Sequence, residues 1–109
     1  MSFSSDILRG HTETVILKIL MGGDSYGYEI TKGIQESSGG MVDIKDATIY
    51  TAFRRMEKDG LVTTYWMDGF GATRRRYYSI TDAGKALYTE KLNEWRHIRE
   101  VLDKLIMIN

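Results

Sequence analysis

Apolar residues recur at helical spacing in two segments at the start of the chain. The first segment runs from about Ser5 to Met21 and is followed by Gly22-Gly23-Asp24, which indicates that a helix ends there. The second begins near Ser25, a residue type that caps helix N-termini, and ends in the serine- and glycine-rich residues 37–40. The pattern therefore predicts two short helices joined by a tight turn.

A third helix is predicted from residue 46 to about residue 59, with Asp46 as its N-cap. Gly60 then supplies the left-handed residue that commonly follows a helix. Apolar residues at positions i, i+4 and i+7 form the stripe that we expect to be buried: Ile49, Phe53 and Met56. The opposite face is small, polar or basic and carries Ala47, Thr48, Thr51, Arg54, Arg55 and Lys58, with Tyr50 at its flank.

Two β-strands are predicted after the third helix. Residues Leu61 to Met67 are rich in β-branched and aromatic side chains, and Arg74 to Ile80 can return as a second strand. Residues 68–73 between them contain two glycines and predict the turn of a hairpin. Three helices followed by a hairpin and a last helix are typical of a winged helix-turn-helix, a mainly α fold in which the hairpin is the wing.

The last helix, capped by Thr81 or Asp82, is predicted to continue to about residue 107. Its apolar stripe spans many turns and consists of Leu87, Tyr88, Leu92, Trp95, Ile98, Leu102, Leu105 and Ile106. A winged-helix domain over residues 1–81 is too small to cover this stripe, so we expect residues 82–109 to form a homodimerisation helix. The predicted dimer interface comprises Leu92, Trp95, Ile98, Leu102 and Leu105. The alternative is that the helix folds back on its own domain.

The distribution of charge matters more than its sum. The chain of 109 residues has 15 Lys and Arg against 15 Asp and Glu, and a net charge of zero by itself argues against a nucleic-acid partner. However, basic residues cluster on the third helix, and Arg74-Arg75-Arg76 follows the glycine-containing tip of the hairpin. Arginine and threonine on a helix can read bases in the major groove, and a basic wing can reach phosphates.

These features predict that the protein binds double-stranded DNA. The predicted contacts are Thr48, Tyr50, Thr51, Arg54, Lys58, Arg74 and Arg75. The alternative for the helix is a solvated face paired with Glu57 and Asp59, and the alternative for the wing is an edge strand protected by charge. A winged-helix module that binds proteins and not DNA is the second candidate function. The hairpin aromatics Tyr65, Trp66, Tyr77 and Tyr78 are expected to pack the hairpin and not to stack on bases.

Several function classes lack support in the sequence. There is no cysteine, which excludes disulfides and thiolate metal sites. His11 and His97 have no neighbours at metal-ligand spacing, and no nucleophile or phosphate-loop motif is present, so we expect neither an enzyme nor a cofactor. No segment is apolar and long enough to span a membrane, and Met1 to Asp6 lacks the layout of a signal peptide, so we expect a cytoplasmic protein.

Three blocks of the sequence resemble the signature blocks of the PadR family. They are Ser-Tyr-Gly-Tyr-Glu-Ile at residues 25–30, the stretch from Ala47 to Val62, and the stretch from Arg76 to Gly84. The resemblance covers nearly the whole chain and implies a dimeric winged-helix repressor that binds an operator. The single short C-terminal helix is similar to that of the compact subfamily that includes the lactococcal multidrug-binding repressor.

That resemblance also implies an effector site for a flat aromatic molecule at the dimer interface. Trp95 matches the tryptophan on which such molecules stack between two subunits. Arg99 stands where the relative has an acidic residue, so the site should prefer an anionic or neutral aromatic unless Glu13 compensates. The predicted effector residues are Ile7, Glu13, Lys91, Trp95 and Arg99. Judged from composition and spacing alone, Trp95 is interface packing.

Overall fold

The computed structural model describes residue 3, residues 5–69, residue 71 and residues 73–108. Its elements are a 3-10 helix (Ser5–Leu8), α1 (Thr12–Met21), β1 (Ser25–Tyr26), α2 (Gly27–Ser37), α3 (Asp46–Lys58), β2 (Val62–Asp68), β3 (Arg74–Ile80) and α4 (Asp82–Ile106). The predicted fold class is confirmed, because a β-hairpin separates three short helices from a long last one. Phe70 and Ala72 of the predicted turn, and Met1, Ser2, Ser4 and Asn109 of the predicted terminal segments, lie outside the described residues.

The core lies between α1, α2, α3 and the base of the hairpin. The predicted stripe of α3 is fully buried, with Ile49, Phe53 and Met56 at most 1% exposed. Phe53 stacks on Tyr78 of β3 with ring centroids 3.6 Å apart. This contact holds the hairpin against the inner side of α3 and leaves the outer side of that helix open to solvent.

The predicted first helix is divided in two. Residues Ser5–Leu8 form the 3-10 helix, and α1 begins only at Thr12. The break falls at Gly10, whose φ of 81° is left-handed and incompatible with a continuing α-helix. The apolar spacing was sufficient to identify the helical segment, but it did not reveal the interruption.

A short strand, β1, was not predicted. Ser25 and Tyr26 pair antiparallel with Tyr78 and Tyr77, so the sheet has the order β1-β3-β2 and α2 starts after Tyr26. The predicted role of Ser25 as helix N-cap is therefore wrong; its hydroxyl donates instead to Glu29 at 2.6 Å. Similarly, the N-cap of α3 is Lys45 and not Asp46, which lies in the first turn.

Helix α4 is fixed to the domain at its first turn. The Thr81 hydroxyl accepts from the Gly84 amide at 3.0 Å and donates to the Gly60 carbonyl at 2.7 Å, so the predicted cap is confirmed. Gly84 is buried against the Leu61 carbonyl. From there α4 runs for 25 residues, about 37 Å at the usual rise per residue. Within the described residues, no helix combines the length and apolar character needed to cross a membrane.

Candidate nucleic-acid interface

The outer face of α3 presents the predicted polar and basic side chains to solvent. Thr48, Thr51, Arg54 and Lys58 are all exposed. The Thr51 hydroxyl donates to the Ala47 carbonyl at 2.8 Å, and Arg54 Nη2 lies 3.4 Å from the Thr51 oxygen. The long contact with Thr51 is weak, so the guanidinium of Arg54 can exchange it for a hydrogen bond to an external acceptor.

The wing is braced against α3 by Arg76. Its Nε donates to the Thr64 hydroxyl at 2.8 Å, and its Nη2 donates to Glu57 at 3.1 Å. Glu57 was considered as a partner for the basic residues of its own helix, but the structure pairs it with the wing. Arg76 therefore sets the angle between the hairpin and the recognition surface of α3.

The other two arginines of the wing, Arg74 and Arg75, lie on opposite faces of β3, as strand alternation predicts. The Arg74 guanidinium is 5.3 Å from the centroid of the Trp66 ring and 3.7 Å from the Asp68 carboxylate. The Arg75 guanidinium is 4.7 Å from the centroid of the Tyr26 ring. Aromatic faces therefore hold both guanidinium groups near the sheet without consuming their donors.

A groove of about 370 Å³ separates the wing from the start of α2 and the flank of α3. Its lining consists of Tyr26, Gly27, Tyr28, Tyr50, Trp66, Arg74, Arg75, Arg76 and Tyr78. Tyr28 is 66% exposed at this groove. Tyr50 lies so close to the backbone that a Cβ at Gly27 would be 2.8 Å from its hydroxyl oxygen.

Among the described residues, some cations of α3 and of the wing have no carboxylate partner. Within the described part of the chain, no carboxylate lies within salt-bridge distance of Arg54, Lys58 or Arg75. Arg55, by contrast, donates to Glu13 at 2.6 Å. The outer face of α3 and the wing therefore both carry a cation for which no counter-ion is found among the described residues, whereas Arg55 and Arg74 each lie near a carboxylate.

Most hairpin aromatics pack within the protein, as expected. Tyr65 stacks on Tyr77 with centroids 5.7 Å apart, and Tyr77 contacts Tyr26 at 5.1 Å. Tyr65 also donates to Asp24 at 2.6 Å, and this hydrogen bond raises the pKa of the Tyr65 hydroxyl. Trp66 differs, because it is largely exposed and faces the groove.

The predicted effector residues are divided between two cavities of the single chain. Ile7 and Trp95 line an apolar groove of about 320 Å³ between the N-terminal helices and α4. The Arg99 guanidinium lies 5.8 Å from the centroid of the Trp95 ring. Glu13 and Lys91 line a separate cavity of about 150 Å³. The Glu13 carboxylate is bonded to Arg55 and does not face the Trp95 groove.

The predicted dimer residues lie along one side of α4. Leu92 is half-buried at the apolar groove, whereas Trp95, Ile98, Leu102 and Leu105 are exposed in the single chain. Exposure is 41% at Trp95 and 38% at Ile98, and it reaches 75% at Leu105 near the end of the helix. The second half of α4 thus has an apolar face that this domain does not cover.

The sequence analysis missed several residues of the groove. Gly27, Tyr28 and Trp66 were not included in the predicted site, although all three line it. The usable signal was the glycine between two tyrosines at residues 26–28, since a glycine beside aromatic residues can mark a close approach. No group of three or more His, Asp or Glu side chains that could hold a metal occurs among the described residues.

Comparison with known proteins identifies related chains along most of this sequence. Residues 16–90 match the model of the transcriptional regulator PadR-like family. A transcriptional regulator from Clostridium thermocellum is 42% identical, with a TM-score of 0.85 and coverage of 93% of this chain and 98% of its own. A PadR family transcription regulator from Clostridium difficile is 36% identical, with a TM-score of 0.75 and coverage of 86% and 96%.

A more distant relative, the negative transcriptional regulator PadR of Bacillus subtilis, is 28% identical over 80 residues, which are 73% of this chain and 42% of that protein. Its structure in complex with operator DNA has a TM-score of 0.67 and 26% identity to this chain, and the match covers 73% of this chain and 45% of the other. The residues matched by the family model, 16–90, include α2, α3 and the wing. The chain therefore belongs to the PadR-like family and is a transcriptional regulator, not an enzyme.

Proposed function

We propose that this regulator is a homodimeric repressor of the cytoplasm that binds double-stranded operator DNA and is released by a flat aromatic molecule. The single observation that carries the DNA proposal is that the exposed outer face of α3 and the adjoining wing both carry cations, Arg54, Lys58 and Arg75, that form no salt bridge among the described residues. The Bacillus subtilis relative, which binds operator DNA, supports the same role.

In this proposal α3 enters the major groove and the wing contacts the backbone. Arg54, Thr48 and Thr51 read base edges, since arginine suits guanine and threonine suits the thymine methyl. Tyr50, Lys58, Arg74 and Arg75 bind phosphates and fix the register of the helix. A net charge of zero does not oppose this arrangement, because a neutral protein with a local basic face can still bind phosphates.

The homodimer forms through the apolar face of α4. Two copies that join along Trp95, Ile98 and Leu102 cover side chains that one domain leaves exposed. The dimer also presents two α3 helices to two half-sites of an operator. Sedimentation of Leu102→Asp should show a monomer, whereas His97→Asp, on the opposite face of α4, should remain a dimer. A dimeric Leu102→Asp protein would reject this interface.

DNA binding can be tested by the affinity for a duplex of about 30 base pairs selected from a random library, which holds two half-sites. Lys58→Ala and Arg75→Ala should each weaken binding and flatten the dependence of log K on log salt by about 0.9 per lost phosphate contact. Lys104→Ala is the matched control, because Lys104 lies about 33 Å along α4 from its first residue.

The same experiment distinguishes the second candidate, a winged-helix module that binds proteins. Charge reversal at Arg54 and Arg74 abolishes binding to the duplex only if these side chains face phosphates or bases. Unchanged binding by both reversed variants would refute the DNA interface. Absence of any DNA binding by the wild-type protein would favour the protein-binding module.

The effector occupies the apolar groove beside Trp95 and resembles, in its aromatic character, the ligands of the compact multidrug-binding subfamily. Ile7, Leu92 and Trp95 provide an apolar wall, and the ring of Trp95 offers a stacking surface. Lys18 lines the groove and Arg99 lies over the ring, so we infer a preference for neutral or anionic aromatics. Release of DNA requires that the ligand bind one dimer geometry better than another.

Tryptophan fluorescence tests the effector. Quenching of wild type by an anionic aromatic dye should be lost in Trp95→Ala, in which Trp66 provides the background signal, while sedimentation checks that the variant is still dimeric. Tighter binding of a cationic dye of similar shape would reject the charge preference. Equal quenching of both proteins would place the ligand elsewhere.

A further inference from the structure

One cation on α3 is already engaged elsewhere in the fold. Arg55 Nε donates to Glu13 Oε1 of α1 at 2.6 Å, across 42 residues of sequence. Charge-assisted hydrogen bonds of this length hold both partners in a defined geometry. The Glu13 side chain is 28% exposed, so its carboxylate is partly shielded by the body of the domain. The bond therefore ties the exposed side of α3 to the packed helix α1.

The same pair lies where a third helix approaches. Glu13 and Arg55 line the cavity of about 150 Å³ together with Leu87 and Lys91 of α4. Lys91 has its own partner, because its amino group is 3.8 Å from the Glu94 carboxylate. Glu13 therefore pairs with Arg55 and not with Lys91. The contact between α1 and α3 that this pair makes borders directly on α4.

The neighbouring arginine is placed differently. Arg54 is exposed on the outer face of α3, and its Nη2 lies 3.4 Å from the Thr51 hydroxyl. Adjacent residues of an α-helix point about 100° apart, so Arg54 and Arg55 cannot face the same partner. Two consecutive arginines of identical chemistry thus have one free and one internally bonded guanidinium.

We propose that Arg55 is a positioning residue, which fixes the orientation of α3 on α1 through Glu13 and does not bind phosphate itself. This inference rests on the proposed DNA-binding function and deepens it, since it separates the side chains that touch DNA from the one that aims the helix. Because α4 borders the pair, a displacement of α4 in the dimer is transmitted to α3 through the contact between Glu13 and Arg55.

A charge exchange tests the proposal with the selected duplex. Arg55→Glu alone should weaken binding by about tenfold or more, because two carboxylates would then repel between α1 and α3. The double variant Glu13→Arg/Arg55→Glu restores an ion pair and should bind within about threefold of wild type. If Arg55 binds phosphate, the double variant remains as weak as Arg55→Glu, and the proposal is overturned.

Salt dependence gives a second readout, with Lys58, a proposed phosphate contact on the same helix, as a matched control. Lys58→Gln should flatten the salt slope by about 0.9 per lost phosphate contact, whereas Arg55→Gln should lower affinity with the slope unchanged. Equal flattening by both variants would make Arg55 a phosphate ligand.

Hydrogen exchange of the free protein separates this inference from the DNA-binding proposal. Glu13→Gln and Arg55→Gln should raise the exchange rate of α3 amides to the same extent, and the double variant no further. Arg9→Gln, which removes the local Arg9–Asp6 pair at 2.9 Å, should leave α3 unchanged. If wild type binds no DNA, the proposed function fails while this result still decides the role of the pair. Unchanged α3 exchange in all variants would refute it.

Discussion

Replacement of Gly84 by alanine should disturb the junction between the winged domain and α4. A Cβ at this position would overlap the Leu61 carbonyl oxygen and lie 2.7 Å from Ile80 Cγ1. The carbonyl cannot rotate aside freely, because it accepts a hydrogen bond from the Thr81 amide at 3.0 Å. The added methyl group must therefore displace α4 from the end of the sheet.

The magnitude follows from two opposing contributions. Overpacking by one methyl group in a rigid site costs roughly 1–3 kcal/mol, and alanine recovers about 1 kcal/mol of helix propensity over glycine. We expect a net loss of up to about 2 kcal/mol. At about 4–6 °C per kcal/mol for a chain of this size, Tm should fall by up to about 12 °C.

Thermal unfolding followed by far-UV circular dichroism measures this change, with all proteins at one concentration so that dimerisation contributes equally. Gly33→Ala is the matched control, because Gly33 is inside α2 and a Cβ there meets nothing within 4 Å. Its Tm should be unchanged or higher. If Gly84→Ala melts at or above the temperature of Gly33→Ala, the steric reasoning at the junction is wrong.

Three further changes have distinct expected results. Thr81→Ala removes the cap of α4 and should cost about 1–2 kcal/mol by urea unfolding, whereas Thr89→Ala on the exposed side of the same helix should cost little. Gly27→Ala forces the Tyr50 hydroxyl, 2.8 Å from the new Cβ, out of the groove, so DNA affinity should fall with Tm nearly unchanged. Tyr78→Phe should flatten the loss of stability at high pH, because burial raises the pKa of Tyr78 in the folded protein.

The sign of the Tyr78 effect follows from linkage. Below about pH 10 the tyrosine is protonated in both states, and above it the unfolded chain loses the proton first, so stability decreases until the folded-state pKa is passed. Tyr28→Phe, at an exposed tyrosine, should leave the wild-type profile unchanged. Parallel profiles for all three proteins would contradict the Tyr78 assignment. For Thr81→Ala, a stability cost equal to that of Thr89→Ala would contradict the capping role. For Gly27→Ala, an unchanged DNA affinity would contradict the role of Tyr50 in the groove.

Local periodicity was enough to predict most of the fold. The stripe at Ile49, Phe53 and Met56 located α3, and the alternation of Arg74-Arg75-Arg76 placed the wing side chains on two faces. The two-residue strand β1 is too short to have a recognisable period, and its partners lie some 50 residues later in β3. The break at Gly10 depends on a single left-handed residue within an otherwise helical pattern.

The candidate site was predictable in its types of residue but not in its pairings. The basic face of α3 and the basic wing follow from the sequence, whereas the bonds of Arg55 to Glu13 and of Arg76 to Glu57 join residues far apart in the chain. Such pairings decide which cations remain free, and they depend on the packing of whole elements. The same reason explains why Glu13 was grouped with Trp95 as a compensating charge in the site that the resemblance implies, although its carboxylate lies in another cavity.

The central position of β3 in the sheet supports the base of the wing more firmly than its tip. At its base, Tyr77 and Tyr78 are paired on both edges, with β1 on one side and β2 on the other. Towards the tip, Arg74, Arg75 and Arg76 are paired with β2 alone, so that part of the strand bends more easily. The support fixes the direction of the wing while the free end adjusts to the surface it meets, and the change in stiffness falls between Arg76 and Tyr77.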